Sequence, residues 1–306
     1  MKLAIAGAGL TGAYLYRLLT NRGWKPDLYD IKIDNNCGLR GCAWGTSGDF
    51  KTLLPAAGLN PDDYILNVLD YVYMDDIRIP AELMTIDKPS LIRDLLHDAE
   101  IRRSSLERGK YDRIIDATGV ARAYLPKIDD DILLPCIQYY IRTQNHLDKS
   151  LLSDPRKLFN RLGWIKYGAG QPDNGEILCG CAGDIRLTAP HYSLPYTTAS
   201  GTTEIWGTGE AIGCVAPLAG DGIVPGMRSV RLLLEHWDNR RKYTKAILKE
   251  FSWMKQERAI IDKLRFRRPL RIWDAMILTQ NAKRMKMKVS MKHAAALLQN
   301  LRPDVE

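Results

Sequence analysis

The sequence contains no long apolar run, and none of its hydrophobic stretches approaches the roughly 18 residues that a membrane-spanning helix needs. The first residues, "MKLAIAG", form a strand-like segment and lack the extended apolar core of a secretory signal peptide. Six cysteines are scattered through 306 residues without a CxxC pair, which argues against a disulfide framework in a chain of this size. These absences predict a globular cytoplasmic protein.

Patterns for metal binding and nucleophilic catalysis are also missing. The five histidines form no HxxxH pair, and Cys179 and Cys181 have no second pair of ligands near them in the sequence. The segment "GTSGD" around Ser47 does not have the G-x-S-x-G spacing of a nucleophile elbow. The sequence therefore predicts no metal site and no nucleophile elbow.

Basic residues are concentrated near the C-terminus. Residues 239–306 contain 18 Lys and Arg against 6 Asp and Glu, a net charge of +12, whereas the whole chain carries +8 and residues 1–238 therefore carry −4. In "RMKMKVSMK", Met285, Met287 and Met291 alternate with basic residues. This asymmetry predicts peripheral docking on an anionic membrane surface. A nucleic acid is less favoured because no aromatic platform accompanies the charge, and a solvated helix face is the plainer alternative.

A strand, a glycine-rich turn, a helix and a second strand are predicted at the start of the chain. The hydrophobic pattern places the strands at Lys2–Ala6 and Asp27–Ile31, with the helix from about Leu10 to Arg22 between them. This order is typical of a doubly wound parallel sheet.

The glycine-rich turn, "GAGLTG", has the G-x-G-x-x-G pattern that binds dinucleotides. Gly7 allows a tight turn, Gly9 lets a pyrophosphate approach the backbone, and Gly12 lets the helix pack closely on the strand. The first helical residues, Leu10 and Thr11, lie at the helix N-terminus, where the positive end of the helix dipole attracts phosphate. An adenine dinucleotide is therefore predicted to bind here.

Asp30 lies 18 positions after Gly12, at the end of the second predicted strand. An acidic side chain at this place accepts hydrogen bonds from the ribose hydroxyls of the adenosine half. A carboxylate would also repel a 2′-phosphate, so NADP is the least favoured occupant.

The remaining sequence divides into segments of different pattern. A helix is predicted over Lys88–Glu107, opened by Pro89, and a short strand in "YDRIIDATG", whereas residues 53–76 show no clear pattern. Between Ile128 and Thr203, short strand-like runs separated by Gly, Pro and Asn predict an antiparallel sheet. Residues after Met227 are predicted to be mostly helical.

A second glycine-rich segment, "GEAIGCVAPLAGDGIVPGMRSV", spans residues 209–230 and runs into a helix. Together with "IDATG" and the first turn, it resembles the geranylgeranyl reductase family of flavoproteins, within the class that includes p-hydroxybenzoate hydroxylase. The resemblance extends over residues 1–50, 85–120 and 160–235. It implies an FAD-binding fold. The residues that match the flavin-side motif are Gly209, Glu210, Pro217, Gly220, Gly222 and Ile223, and those that match the middle motif are Ala117 and Gly119.

The resemblance also implies which residues lie near the flavin ring and the substrate. "NNCGLRGCAWG" matches the family's Cys-Gly segment and places Cys37, Gly38 and Arg40 near the flavin, with Cys37 either chemically active or an inert apolar filler. "LGWIKYGAG" faintly matches an aromatic segment, so Trp164 and Tyr167 are expected to line the substrate cavity or to belong to the core. The sequence departs from the family at Glu210, where the family has Asp, and at Lys88, where it has Arg.

The resemblance implies an oxidoreductase with noncovalent FAD that reduces a C=C bond of its substrate. The substrate would be an isoprenoid or another apolar small molecule. A flavin-dependent monooxygenase is the second hypothesis, and a non-catalytic flavoprotein that binds membrane or nucleic acid through its basic C-terminal region is the third. No sequence feature identifies the electron donor. The predicted architecture is α/β: a discontinuous Rossmann-like FAD-binding domain of residues 1–124 and 203–238, an antiparallel-sheet substrate domain of 125–202, and a basic helical region of 239–306.

Overall fold

The computed structural model describes residues 1–31, 44–74, 77–128, 131 and 203–300, together with the backbone of six short strands between 133 and 186. The strands, in chain order, are β1 (Leu3–Ala6), β2 (Asp27–Tyr29), β3 (Gly45–Ser47), β4 (Ile65–Met74), β5 (Ile77–Ile86), β6 (Ile101–Arg102), β7 (Arg113–Asp116), β8 (Leu133–Leu134), β9 (Gln138–Arg142), β10 (Ile165–Lys166), β11 (Ala169–Gly170), β12 (Glu176–Gly180), β13 (Ile185–Arg186) and β14 (Glu204–Gly207). The α-helices are α1 (Leu10–Thr20), α2 (Phe50–Leu53), α3 (Lys88–Leu95), α4 (Ile223–Glu235), α5 (Arg240–Glu250), α6 (Ser252–Arg265), α7 (Ile272–Ala282) and α8 (Met291–Asn300).

A five-stranded parallel sheet forms the centre of the molecule, in the order β14-β7-β1-β2-β6. The central strand β1 is buried on both faces, and Ala4 and Ile5 are fully inaccessible. This explains why "LAIA" is a continuous apolar run, because a parallel strand covered on both faces has no polar side. The predicted strand–helix–strand unit and the predicted strand in "YDRIIDATG" are thus present.

Helix α1 packs on this sheet and is fixed to α3 by Arg17. The buried guanidinium of Arg17 donates to the carbonyl of Leu95 at 2.9 Å and forms an ion pair with Asp98 at 2.7 Å. Hydrogen bonds from Arg17 lower the pKa of the Asp98 carboxyl. The helix predicted over Lys88–Glu107 is therefore too long: α3 ends at Leu95, where Arg17 engages the end of the helix and the turn that follows it.

A four-stranded antiparallel sheet, in the order β10-β4-β5-β3, accompanies the parallel sheet. Its longest pair is the hairpin β4–β5, whose first strand lies in the segment of residues 53–76 that had no clear sequence pattern. Between 133 and 186 the backbone strands pair antiparallel in β11-β12-β9 and in β13-β8, as the sequence predicted. The hairpin pairs with β10, so this sheet joins residues on both sides of the predicted boundary at 124, and the domain limits themselves stay a prediction.

Helices α4 to α8 form the C-terminal part of the described chain. Tyr243 of α5 stacks on Trp206 of β14, with ring centroids 5.6 Å apart, and its hydroxyl donates to the carbonyl of Gly207 at 2.7 Å. The C-terminal helices are therefore packed directly on the last strand of the parallel sheet. Within the described residues, no helix is both long enough and apolar enough to cross a membrane.

The basic segment after α7 pairs with the edge of the antiparallel sheet. The N–H of Glu82 donates to the carbonyl of Lys286 at 2.8 Å, and the N–H of Lys288 donates to the carbonyl of Pro80 at 2.8 Å. Met285 and Met287 of the alternating sequence are buried by this pairing, and Lys286 lies 3.4 Å from Asp49. Over residues 284–288, the alternation of Met and basic residues thus reflects a buried side and a more exposed side of a segment paired with the sheet, whereas Met291 of the same pattern is exposed.

Candidate cofactor-binding site

The predicted binding motifs meet at one edge of the parallel sheet. Strands β1, β2, β7 and β14 end at Ala6, Tyr29, Asp116 and Gly207, and a motif follows each of these ends. The chain places β2 and β6 on one side of β1, and β7 and β14 on the other. Ligands of doubly wound sheets bind outside the carboxyl ends of the strands, at the point where the strand order reverses, which here lies between β1 and β7.

Two glycines of the first motif are required by close backbone packing. A Cβ on Gly7 would overlap the carbonyl oxygen of Ala117, and the backbone of Gly7 has a positive φ of 103°. A Cβ on Gly12 would overlap the carbonyl oxygen of Gly7 and would lie 3.4 Å from the Cβ of Ala117. The first turn, helix α1 and the turn after β7 are therefore in contact through backbone atoms, which confirms the packing reasons given for these glycines.

Gly9 differs from Gly7 and Gly12 because a Cβ there would meet no atom of the described residues. In the part of the chain that the structure describes, no heavy atom lies within 4 Å of the position that a Cβ would take, and the backbone angles, φ −69° and ψ 179°, are accessible to any residue. Neither packing nor conformation therefore explains this glycine. Space left open at the N-terminus of a helix in this turn is the space that a pyrophosphate occupies when it approaches the backbone.

The N-terminus of α1 is suited to an anion. Gly9 is the N-cap residue, no side chain caps the helix, and the first turn contains no acidic residue. The first amides of an α-helix have no acceptor within the helix, so those of Leu10 and Thr11 can bind a ligand. The side chain of Thr11 packs against two glycines of the second glycine-rich segment. A Cβ on Gly209 would lie 2.8 Å from the Oγ1 of Thr11, and a Cβ on Gly226 would lie 2.5 Å from the same atom. Thr11 thus brings α1 and α4 together.

Asp30 lies over the first glycine turn. The backbone N–H of Ala8 donates to its Oδ2 at 2.9 Å, and the N–H of Asp30 donates to the carbonyl of Arg102 at 3.1 Å. The carboxylate is half-buried and is held beside the turn by a residue of the motif itself. This position suits a carboxylate that binds the ribose of a nucleotide whose phosphates lie at Gly9.

Asp116, which the sequence analysis did not single out, organises the turn after β7. It is completely buried and accepts hydrogen bonds from the N–H and hydroxyl of Thr118 and from the N–H groups of Tyr124 and Leu125, at 2.6 to 3.1 Å. These bonds fix the backbone of Ala117 and Gly119, the two residues of the middle motif. The signal was present in the sequence, because an acidic residue at the end of an apolar strand must find partners when it is buried.

Glu210 joins the turn after β14 to the turn after β7. It lies in the 3₁₀ turn Gly209–Ile212, and its Oε2 is 3.7 Å from the position of a Cβ on Gly119. Arg122 donates to the carbonyl of Ala211 across the same two turns. The half-buried carboxylate of Glu210 therefore lies at the carboxyl edge of the sheet, beside the middle motif.

The glycine-rich segment before α4 is held by hydrogen bonds of its own. The N–H of Gly209 donates to the hydroxyl of Ser229 at 2.8 Å, and the N–H of Gly220, where φ is 69°, donates to the carbonyl of Ala216 at 2.8 Å. Asp221 accepts from the N–H of Ile223 at 3.0 Å at the start of α4. Pro217 and Gly222 lie within this folded loop. The predicted flavin-side residues thus form one structured turn that leads into a helix N-terminus.

Glu257 of α6 contacts this loop and was not predicted. Its side chain is 2% exposed, and Oε2 lies 3.4 Å from the N–H of Leu218. Burial raises the pKa of Glu257 to about 8, while hydrogen bonds from Leu218 and Asn281 act in the opposite direction. No local pattern could have identified this residue, because a Glu in a helix is most often exposed and its partner is 39 positions away.

Several predicted residues lie outside the described part of the chain: Cys37, Gly38, Arg40, Trp164 and Tyr167. Their proximity to a flavin or a substrate stays a prediction. Cys214 is described, and burial raises the pKa of its thiol well above the ordinary value, as expected of an unreactive core residue. Among the described residues, no group of three or more His, Cys, Asp or Glu is placed to hold a metal ion.

Comparisons with known proteins agree with this architecture. No protein-family model matches the chain. The chain is 24% identical to the uncharacterized protein MJ1182 of Methanocaldococcus jannaschii, over 86% of this chain and 90% of that protein. Its structure is similar to that of a geranylgeranyl bacteriochlorophyll reductase-like protein from Thermoplasma acidophilum, with a TM-score of 0.61, 15% identity, and coverage of 86% of this chain and 87% of the other.

Two structures of PqsL from P. aeruginosa are also similar. A mutant of PqsL has a TM-score of 0.57 at 13% identity, and the complex with 2-aminobenzoylacetate has a TM-score of 0.52 at 14% identity. Each comparison covers 98% of this chain and 99% of PqsL. These likenesses show the fold: a Rossmann-type α/β architecture with a parallel sheet, an antiparallel sheet and C-terminal helices, which confirms the predicted fold class.

Proposed function

We propose that the protein is an FAD-dependent oxidoreductase. The observation that carries the proposal is the open space at Gly9, in a turn whose other two motif glycines are fixed by backbone contacts. The turn lies at the switch point of a parallel sheet, and a helix N-terminus without an acidic residue or a side-chain cap faces the same space. The fold that the chain shares with FAD-binding proteins supports the proposal.

The described residues fit the two halves of FAD in different ways. The N–H groups at the start of α1 would hold the pyrophosphate, and Asp30 would accept hydrogen bonds from the adenosine ribose. Glu210 and the loop of Pro217 to Gly222 would hold the ribityl chain and one edge of the flavin ring. Because Asp116 fixes the turn that contains Gly119, it positions the binding surface without contacting the cofactor.

The substrate that we favour is an isoprenoid with a C=C bond. Bound FAD, once reduced, would supply a hydride for reduction of that bond. The contribution of the protein is to orient the substrate against the cofactor and to exclude water from an apolar cavity. Support for this substrate comes from the sequence resemblance and from the likeness to the geranylgeranyl bacteriochlorophyll reductase-like protein.

The experiment that tests the proposal is purification of the full chain followed by cofactor analysis. We expect a yellow protein with about one FAD per chain, released into the supernatant by acid precipitation because no covalent bond holds it. Anaerobic reduction with dithionite, followed by addition of geranylgeranyl lipids, should reoxidise the flavin and yield the saturated product. A protein that binds no FAD on reconstitution would overturn the proposal.

A flavin-dependent monooxygenase that acts on an aromatic substrate is the second candidate. The likeness to PqsL favours it, because that protein was crystallised with 2-aminobenzoylacetate, an aromatic compound, and the comparison covers 98% of this chain. The two candidates make opposite predictions about oxygen. A monooxygenase would consume O₂ and NAD(P)H together when an aromatic substrate is added, whereas an isoprenoid reductase would turn over without O₂.

A further inference from the structure

An exposed apolar patch lies at the corner where α6 ends and α7 begins. We call this patch the corner; its apolar side chains, with their exposed fractions, are Phe266 (59%), Ile272 (68%), Trp273 (65%) and Met276 (46%). Helix α7 buries Ala275 and Leu278 on its other side. An ordinary surface helix is apolar only on the side that faces the core, whereas α7 also has apolar side chains on its exposed side. Such an exposed apolar patch is typical of an interaction site.

Cationic side chains surround the corner. The guanidinium carbons of Arg265 and Arg268 lie 5.3 and 5.4 Å from the ring centroid of Phe266, and Arg267 and Arg271 are exposed beside them. Residues 252–300 contain 12 Lys and Arg against three acidic residues. Two of these three, Glu257 and Asp274, are buried. The surface that carries the corner is therefore strongly positive.

The turn between α6 and α7 is held in a fixed conformation. Asp274 is buried, pairs with Lys263 at 2.5 Å and accepts from the N–H of Arg271 at 2.7 Å. The N–H of Arg268 donates to the carbonyl of Lys263 at 2.7 Å. These bonds hold the turn and the start of α7 in place, so Phe266, Ile272 and Trp273 are presented without an ordering cost at binding.

We propose that the corner docks the protein on an anionic phospholipid membrane. Apolar and aromatic side chains beside arginines match the two layers of a bilayer surface, because the arginines bind lipid phosphates while the apolar groups enter the acyl boundary to about 5–10 Å. The proposal does not depend on FAD or on the substrate, so its outcome is separate from that of the proposed function.

Two other occupants fit the corner less well. A two-fold interface with a second copy would bring the same arginines of both chains together, and their repulsion would oppose association. A nucleic acid would satisfy the arginines and could stack on Trp273, but it offers no partner for the aliphatic side chains of Ile272 and Met276. The bilayer is the partner that matches both the charge and the aliphatic surface.

The position of the corner differs from the sequence expectation. Met285, Met287 and Met291 of the alternating segment were expected to provide the apolar contacts, but Met285 and Met287 are buried against the antiparallel sheet and only Met291 of the three is exposed. The corner lies some 15 residues earlier and owes its exposed apolar groups to the turn between two helices. A helical pattern does not reveal such a surface, because each apolar residue there is equally compatible with a core position.

The test is co-sedimentation of the full-length protein with vesicles of phosphatidylcholine alone and of phosphatidylcholine with phosphatidylglycerol, over a salt series. The apolar variant is Ile272→Ser, Trp273→Ser and Met276→Ser; the charge variant is Arg267→Gln, Arg268→Gln and Arg271→Gln. The matched control is Lys283→Gln, Arg284→Gln and Lys292→Gln, which removes three exposed cations outside the corner. Circular dichroism and thermal melts check that all variants fold.

We expect the wild-type protein to bind the anionic vesicles and to be released by salt. Each cation near an anionic leaflet raises the affinity for the membrane about fivefold, so the charge variant, which lacks three, should bind about 100-fold more weakly, whereas the control should lose much less affinity. The apolar variant should lose binding at unchanged net charge. Equal, salt-insensitive binding to both vesicles, binding that survives the apolar variant, a dimer that this variant dissociates, or tighter binding to a single-stranded RNA would each overturn the proposal.

Discussion

Asp116 is a fully buried carboxylate whose four hydrogen bonds shape the turn after β7, and we expect its charge to be needed for folding. In Asp116→Asn one acceptor oxygen becomes an NH₂ group that faces N–H donors. Because a hydrogen bond to a buried charged group contributes about 1.5–3 kcal/mol, we expect a loss of about 2–4 kcal/mol in the free energy of unfolding.

Urea denaturation of the FAD-free protein measures this loss. The control is Asp112→Asn, since Asp112 accepts an exposed hydrogen bond from the N–H of Lys2, and this change should cost less than about 1 kcal/mol. Equal costs for the two variants would mean that the network of Asp116 does not stabilise the turn.

Asp30 provides a second prediction, about the adenosine half of the cofactor. Removing its carboxylate in Asp30→Ala should weaken FAD binding about 10- to 100-fold, because hydrogen bonds from ribose hydroxyls to a charged acceptor are lost. Titrations followed by flavin fluorescence should show that FMN, which lacks the adenosine half, binds the variant and the wild type equally. A parallel loss for FMN and FAD would place Asp30 outside the ribose site.

The glycines show what residue-level reasoning can achieve. Gly7 and Gly12 were assigned from their spacing to a tight turn and to close packing, and both assignments hold because the spacing itself determines which backbone atoms meet. Thr11 was predicted only as part of the helix N-terminus, yet its side chain contacts Gly209 and Gly226, some 200 positions away. Such a contact depends on how α1 and α4 cross, which local sequence does not specify.

Helix α6 and the glycine-rich loop before α4 meet at Glu257, and this contact makes the stability of the protein depend on pH. Burial raises the pKa of Glu257 to about 8 in the folded state, whereas in the unfolded chain the carboxyl ionises near its ordinary pKa of 4.5. The folded state therefore binds one more proton between these limits. Stability from this group is fully present below the lower limit and is lost as pH rises towards the upper one.

Glu257→Gln should remove this dependence while it keeps an oxygen acceptor for the N–H of Leu218. Between pH 5 and pH 8, the wild type should lose up to about 1.4 kcal/mol per pH unit relative to the variant. Thermal melts of both proteins across this range provide the measurement. As pH rises, the melting temperature of the variant should increase relative to that of the wild type. Melting curves with the same pH slope would show that Glu257 is not protonated in the folded state.

Secondary structure was predicted well where a pattern is strictly local and poorly where distant contacts decide. The first strand–helix–strand unit follows from apolar periodicity and the glycine turn. Helix α3 ends earlier than its pattern indicates because Arg17 engages the residues at its end. Strand β4 lies in the segment that had no clear pattern, and the edge of the hairpin β4–β5 is completed by residues 286–288, which no sequence window of ordinary length connects to it.

At the scale of the whole molecule, the fold gathers motifs from residues 7–30, 116–119 and 209–223 at one edge of a parallel sheet. The fold class could be predicted because each motif follows a strand and the rules of parallel sheets bring strand ends together. Function is less determined by the fold than by the site, and the site has one property that can be tested without knowledge of the substrate. That property is the open space at Gly9.

The most direct test of the account is FAD binding by Gly9→Val, measured by calorimetry and by the rise in melting temperature with FAD. Because no atom of the described residues lies within 4 Å of the new Cβ, the variant should fold and lose at most about 1 kcal/mol at the helix N-cap. The matched control is Gly48→Val, because among the described residues a Cβ there would approach only the carbonyl of Glu82, at 3.9 Å. The account predicts that Gly9→Val is folded and binds no FAD, whereas the control binds as the wild type does. A folded Gly9→Val protein with full FAD content would contradict it.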